Sequence, residues 1–262
     1  MFIKEQNGGL VYFRSDMIDT PHGFSTRLGG VSTLPHLKSM NLGKNRGDDR
    51  ENVGKNYEIF LGALGIPARE RVGGYQTHST NVRTVGAADR MTAFPDTDGF
   101  VTNERGVALT VMVADCIPWL FYDPAAKVIG AAHGGWRGAL NGIAGITVDK
   151  MVSLGADPRN ITAAAGAGIH PCCYEVGQDF YDEVLRIGGA DMCKRFVTPR
   201  LGAPGKYSAD IVGMSIYHIL SRGVPEENID VCPECTCCKP DLFFSHRYTK
   251  GLRGTMCAAI EI

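Results

Sequence analysis

VALTVMVADCIPWLFYDPAAKVIGAAHGGWRG, running from Val107 to Gly138, contains three apolar runs separated by short polar breaks. Val107–Ala114 is apolar and partly β-branched, which predicts a buried strand. Asp115 and Cys116 interrupt it, and Ile117–Tyr122 resumes the apolar pattern until Asp123-Pro124 marks a turn. Val128–Ala132 predicts a third strand with His133 at its end, after which Gly134-Gly135 lets the backbone turn sharply before Trp136-Arg137-Gly138. A polar side chain in such surroundings costs free energy unless it is paired or ligated. Asp115, Cys116 and His133 all fall at strand ends, where open sheets crossed by helices place their sites. Cys116 and His133 are therefore the first functional candidates, weighed against an inert buried thiol and a hydrogen-bonded histidine.

The chain has 262 residues, enough for one large domain with a substantial core. Its formal net charge of −1 gives no global basic field, so neither nucleic acid nor an anionic membrane is the expected partner. No apolar run is long enough to span a bilayer, and the N-terminus lacks the layout of a secretion signal. Nine cysteines, an odd number, argue against a complete disulfide framework and for a reducing, cytoplasmic setting.

Outward from the central stretch, helices and strands interleave. Asp48 or Asp49 to Leu64 predicts a helix, with Val53, Tyr57, Phe60 and Leu61 at helical spacing and Gly65 as its stop. Further helices are predicted over Ile143–Leu154, from Cys172 to about Ile187, and over Asp210–Arg222; Lys194–Lys206 reads as a surface loop. Several early strands follow one another directly, and no internal repeat is present. The expectation is a single α/β (α+β) domain over residues 1–262, one mixed sheet with flanking helices.

Four constellations carry chemistry. His78, Cys116 and His133 supply the ligand types of a catalytic zinc site, three protein donors and one open position. Cys116 with His133 as its base equally makes a metal-free nucleophile, with Asp115 or Asp98 orienting the histidine. Cys232, Cys235, Cys237 and Cys238 form a CxxCxCC cluster suited to structural zinc or to a thiol-rich loop. The vicinal pair Cys172-Cys173 at a predicted helix start is either dipole-activated or a pair of small core residues.

The motifs QTH at Gln76–His78, ADCIP at Ala114–Pro118, AHGGWRG at Ala132–Gly138 and CCYEVG at Cys172–Gly177 resemble the YfiH/LACC1-like family, formerly known as laccase-domain or multicopper polyphenol oxidase proteins. STRLGGVS at Ser25–Ser32, NLG at Asn41–Gly43 and GDD at Gly47–Asp49 extend the likeness along most of the chain. The resemblance implies the YfiH-like cysteine-hydrolase fold and a zinc site at His78, Cys116 and His133, with copper as the alternative ion. It also implies phosphorolysis of adenosine, inosine, guanosine and methylthioadenosine, plus adenosine deamination, so a purine nucleoside and phosphate are the expected ligands. Asp115 is then a candidate orienter or proton acceptor. Arg27, Gln76 and Arg137 are candidate substrate-binding residues, the arginines because guanidinium pairs bidentately with phosphate. Near the C-terminus the family's Ser-Tyr-Arg-Arg is here Ser245-His246-Arg247-Tyr248, and its Gly-Arg step is Gly251-Leu252-Arg253-Gly254. A metal-free Cys–His hydrolase or amidase and a copper phenol oxidase remain the alternatives.

Overall fold

The computed structural model describes residues Met1 to Ile262 throughout. The three runs of the central stretch are strands Ala108–Val113, Ile117–Asp123 and Val128–Gly134. They do not lie in one sheet. Ala108–Val113 pairs antiparallel with the C-terminal strand Met256–Ile260 inside a seven-stranded mixed sheet that also holds Leu10–Ser15 and Arg71–Gly74. Ile117–Asp123 and Val128–Gly134 form an antiparallel hairpin at the centre of a six-stranded mixed sheet. Gly99–Thr102 flanks that hairpin on one side, Thr162–Ala165 and Ile229–Val231 on the other. A small third sheet joins Glu175–Val176, Tyr207–Ala209 and Val197–Pro199. Two main sheets thus replace the single sheet expected, because Asp115 adopts φ 85° and turns the chain out of one sheet into the other.

The two main sheets face each other. Leu109, Val111 and Val113 from one meet Leu120, Tyr122, Ile129 and Ala131 from the other in a shared core. On the outer face of the six-stranded sheet, Ile117, Trp119, Phe121 and Ala132 pack under helices Ile143–Ser153, Gln178–Phe196 and Ile211–Leu220. On the outer face of the seven-stranded sheet, Ala108, Cys257 and Ala259 pack against helix Arg50–Ala63 through Val53, Tyr57, Phe60 and Leu61. Each central strand is therefore covered on both faces, which is why its sequence is apolar throughout and does not alternate.

Two expectations need correction. Cys172 and Cys173 do not open a helix; they lie in a turn before strand Glu175–Val176, and the helix begins at Gln178 behind Gly177. Lys194–Lys206 is not all loop. A helical segment containing buried Met192 and Cys193 runs to Phe196, beyond a break at Gly189 (φ 73°), and strand Val197–Pro199 follows. With only two adjacent apolar residues between glycines and cations, that turn of helix has no periodicity to read.

Candidate metal centre and substrate cavities

The hairpin register sets two of the three candidate ligands side by side. His133 stands opposite Pro118 and Gly134 opposite Ile117, so Cys116, one residue before its strand, emerges beside the His133 ring. The third comes from the loop after Arg71–Gly74, where His78 holds φ 64°. The ligating atoms of His78, Cys116 and His133 all lie within 4.8 Å of one another. The two imidazole rings meet edge to face with centroids 4.9 Å apart.

Asp98 holds this arrangement. It is fully buried at the start of the strand Gly99–Thr102. Its Oδ1 contacts His133 Nδ1 at 2.7 Å and accepts the His78 backbone N–H at 3.0 Å. Its Oδ2 accepts the N–H groups of Thr77 and Ser79 and the Ser79 hydroxyl, at 2.8–3.0 Å. One carboxylate therefore shapes the loop that carries His78 and orients the His133 ring, leaving His133 Nε2 to face the centre. Burial opposes the charge of Asp98, but His133 and the N–H donors outweigh it and hold its pKa at about 2. Burial also opposes charge on His133, yet Cys116 and Asp98 push it up to about 9. Burial and the adjacent His133 push His78 down to about 4, so it stands neutral and ready to ligate. A Cβ built on Gly135 would overlap the His78 ring, so this glycine is what admits the ring beside the strand end.

The donor set fits a single zinc ion. Two imidazoles and one cysteine sulfur converge, and Asp98 supplies the outer carboxylate that metal-ligating histidines use. One copper would accept the same donors. A multicopper cluster would not form here, because neither group of converging ligands in the molecule contains more than these two histidines.

The trio stands between two cavities, of about 320 Å³ and 330 Å³, which share His78, Ala114, Cys116 and Arg253. The first is lined by Lys44, Arg46, Arg71 and Arg253 and by no carboxylate. Arg253 is half-buried in the wall, its Nε without a partner, and burial and Arg46 lower its pKa to about 10. The second is lined by Trp136, Ile169, Tyr174, His246 and Arg247 among others.

The remaining sequence candidates are placed differently. The carboxylate of Asp115 is spent on the Thr236 hydroxyl and the Arg247 backbone N–H, both at 2.6 Å; it braces the wall of the second cavity and does not touch His133. Gln76 reaches the first cavity, but its amide bonds the N–H and C=O of Met112 at 2.7 Å, anchoring its loop to the strand. Arg27 lies outside both cavities, bonded to the carbonyls of Lys38 and Pro240 and stacked on Phe244. Arg137 is exposed and stacked on Trp136. Lys44, Arg46 and Arg71 are not legible as a group in the sequence, because single cations in separate loops carry no pattern until the fold gathers them.

A family described as "multi-copper polyphenol oxidoreductase laccase" matches residues 21–262. The chain belongs to that family. Among curated members, "Purine nucleoside phosphorylase YlmD" of Geobacillus stearothermophilus is 36% identical, covering 99% of this chain and 96% of its own. "Purine nucleoside phosphorylase LACC1" of Homo sapiens is 33% identical over 86% of this chain and 51% of its own. The crystal structure of YlmD from G. stearothermophilus superposes with a TM-score of 0.87 at 34% identity, covering 99% of this chain and 98% of that one. The hypothetical protein YfiH of Bacillus licheniformis superposes with a TM-score of 0.90 at 30% identity and the same coverage. The fold is therefore that of the YlmD and YfiH members. No helix is long and apolar enough to cross a membrane.

Proposed function

We propose that this chain is a zinc-dependent purine nucleoside phosphorylase that accepts adenosine, inosine, guanosine and methylthioadenosine, and that the same centre deaminates adenosine. The observation that carries this reading is the His78–Cys116–His133 trio at the junction of a cationic cavity and an aromatic one. The purine nucleoside phosphorylases among its relatives support the reaction class.

The cationic cavity suits inorganic phosphate. Lys44, Arg46, Arg71 and Arg253 crowd one another with no carboxylate among them, so an oxyanion relieves their repulsion as it binds. The second cavity suits the purine, whose faces stack on aromatic rings such as those of Tyr174 and Trp136. A nucleoside spanning the junction presents its anomeric carbon to phosphate held from the other side. The new carbon–oxygen bond forms as the glycosidic carbon–nitrogen bond breaks, and the bonding pair leaves with the base. His78, Cys116 and His133 would hold the zinc, which would supply a Lewis acid and lower the pKa of water, the chemistry that deamination requires. Asp98 fixes the tautomer of His133, and Gly135 leaves room for His78.

Phosphate-dependent release of base from each nucleoside tests the proposal. Cys116→Ala should abolish release and lower zinc content together. Arg253→Gln should raise the KM for phosphate roughly tenfold to a hundredfold, with a smaller change for nucleoside. Full activity in Cys116→Ala would sink the assignment. A second reading has its own support: His133 stands between Cys116 and Asp98, the order of a Cys–His–Asp hydrolase. Activity that survives removal of metal but not Cys116→Ala would favour it.

A further inference from the structure

The CxxCxCC run does not gather on itself. Cys232 is fully buried in the core between the sheets, and Cys237 packs against the outer core. Cys235 and Cys238 instead meet the vicinal pair Cys172-Cys173, and all four sulfurs lie within 4.8 Å of one another. The topology explains the meeting. Thr162–Ala165 and Ile229–Val231 are parallel neighbours, so the loops that follow them leave the sheet at the same end. A parallel bridge between Gly168 and Cys235, and a 2.9 Å bond from Thr236 N–H to Gly168 C=O, then clamp one loop to the other.

We propose that Cys172, Cys173, Cys235 and Cys238 form a second metal site, a tetrathiolate that binds one tetrahedral thiophilic ion of the zinc(II) class. The Cys172–Cys238 and Cys173–Cys238 sulfur separations are 3.6 and 3.3 Å. Four sulfurs about 2.3 Å from one ion stand roughly 3.8 Å apart, close to these values, whereas a disulfide requires about 2.05 Å. A cluster of several metal ions would hold its thiolates further apart than these four lie. The N–H of His170 reaches Cys235 Sγ at 3.4 Å, a donor of the kind that metal-bound sulfur accepts. On binding, the ion displaces the thiol protons to solvent, with no change of oxidation state.

The site is separate from the His78–Cys116–His133 centre but mechanically joined to its second cavity. Thr236 donates to Asp115, the neighbour of Cys116, and Arg247 bonds the carbonyls of Cys173 and Glu175 at 3.3 and 2.8 Å. An ion here would lock together the two loops that carry Tyr174 and Thr236 along that wall.

Cobalt(II) loading under reducing conditions distinguishes the sites. Wild type should bind about two ions per chain and show the intense thiolate-to-cobalt charge-transfer band of a four-sulfur site. Cys116→Ala should keep that band while losing about one ion; Cys238→Ser should lose the band and keep the other ion. Should Cys238→Ser fail to fold, wild type alone decides: metal should protect Cys172, Cys173, Cys235 and Cys238 from alkylation, mapped by mass spectrometry. Free alkylation of these four in metal-loaded protein would overturn the proposal, as would a disulfide joining Cys238 to Cys172 or Cys173 that persists under those reducing conditions. Loss of the first centre alone leaves the four-sulfur band untouched, so the two assignments fail separately.

Discussion

Asp98 and Gly135 govern the centre without being ligands themselves. Asp98 accepts four hydrogen bonds from the Thr77–Ser79 loop and contacts the His133 ring. Asp98→Asn should weaken zinc binding by roughly tenfold to a hundredfold in a chelator competition, the usual effect of losing an outer-shell carboxylate. In the metal-free protein Asp98 is held at about 2, below its unfolded value of 3.8. Its charge therefore contributes about 2 kcal/mol of stability, present above pH 4 and lost as the pH falls through 2. Denaturant titrations should show the wild-type advantage over Asp98→Asn shrinking across that window. Gly135 acts through absence. A methyl group there would displace the His78 ring, so Gly135→Ala should lose zinc, while the melting temperatures of the two metal-free proteins stay close. Unchanged zinc affinity in that variant would mean that the ring can shift and still ligate.

Among the elements, the hairpin Ile117–Asp123/Val128–Gly134 carries the most functional weight, because its register alone brings Cys116 to His133. Both strands and their turn were legible, since Asp123-Pro124 punctuates two apolar runs. The loop bearing His78 was not, because its shape depends on a carboxylate 20 residues further along the chain. The helix Arg50–Ala63 was legible, its start left between Asp48 and Asp49; the structure makes Asp49 the cap, accepting the Glu51 N–H at 2.8 Å. Asp49→Ala should cost about 1 kcal/mol in chemical denaturation with nucleoside activity unchanged, since the helix packs on the outer face of its sheet. A matching loss of activity would show that the helix transmits strain to the cationic cavity through Tyr57.

At the scale of the whole molecule, two sheets meet face to face and the chain end is folded into one of them. Glu261, just past the last strand, is pushed up to about 7 by burial and by Glu70. A carboxyl raised in this way contributes stability that is full below its unfolded value of 4.5 and lost as the pH rises through 7. The melting temperature should therefore fall between pH 5 and 8, and Glu261→Gln should flatten that slope. The long apolar strands, the helices Arg50–Ala63, Ile143–Ser153 and Ile211–Leu220 and the three ligand candidates were determined by sequence alone, because apolar runs, glycine stops and the QTH, ADC and AHGGW motifs are local signals; the short strands Val197–Pro199 and Ile229–Val231 carry no such signal. The division into two sheets, the choice of Asp98 over Asp115 beside His133, the gathering of four cations and the pairing of Cys172-Cys173 with Cys235 and Cys238 were decided only by the tertiary structure. Each of these depends on which distant backbones become neighbours, and a side chain's partner is set by that geometry and not by its own chemistry.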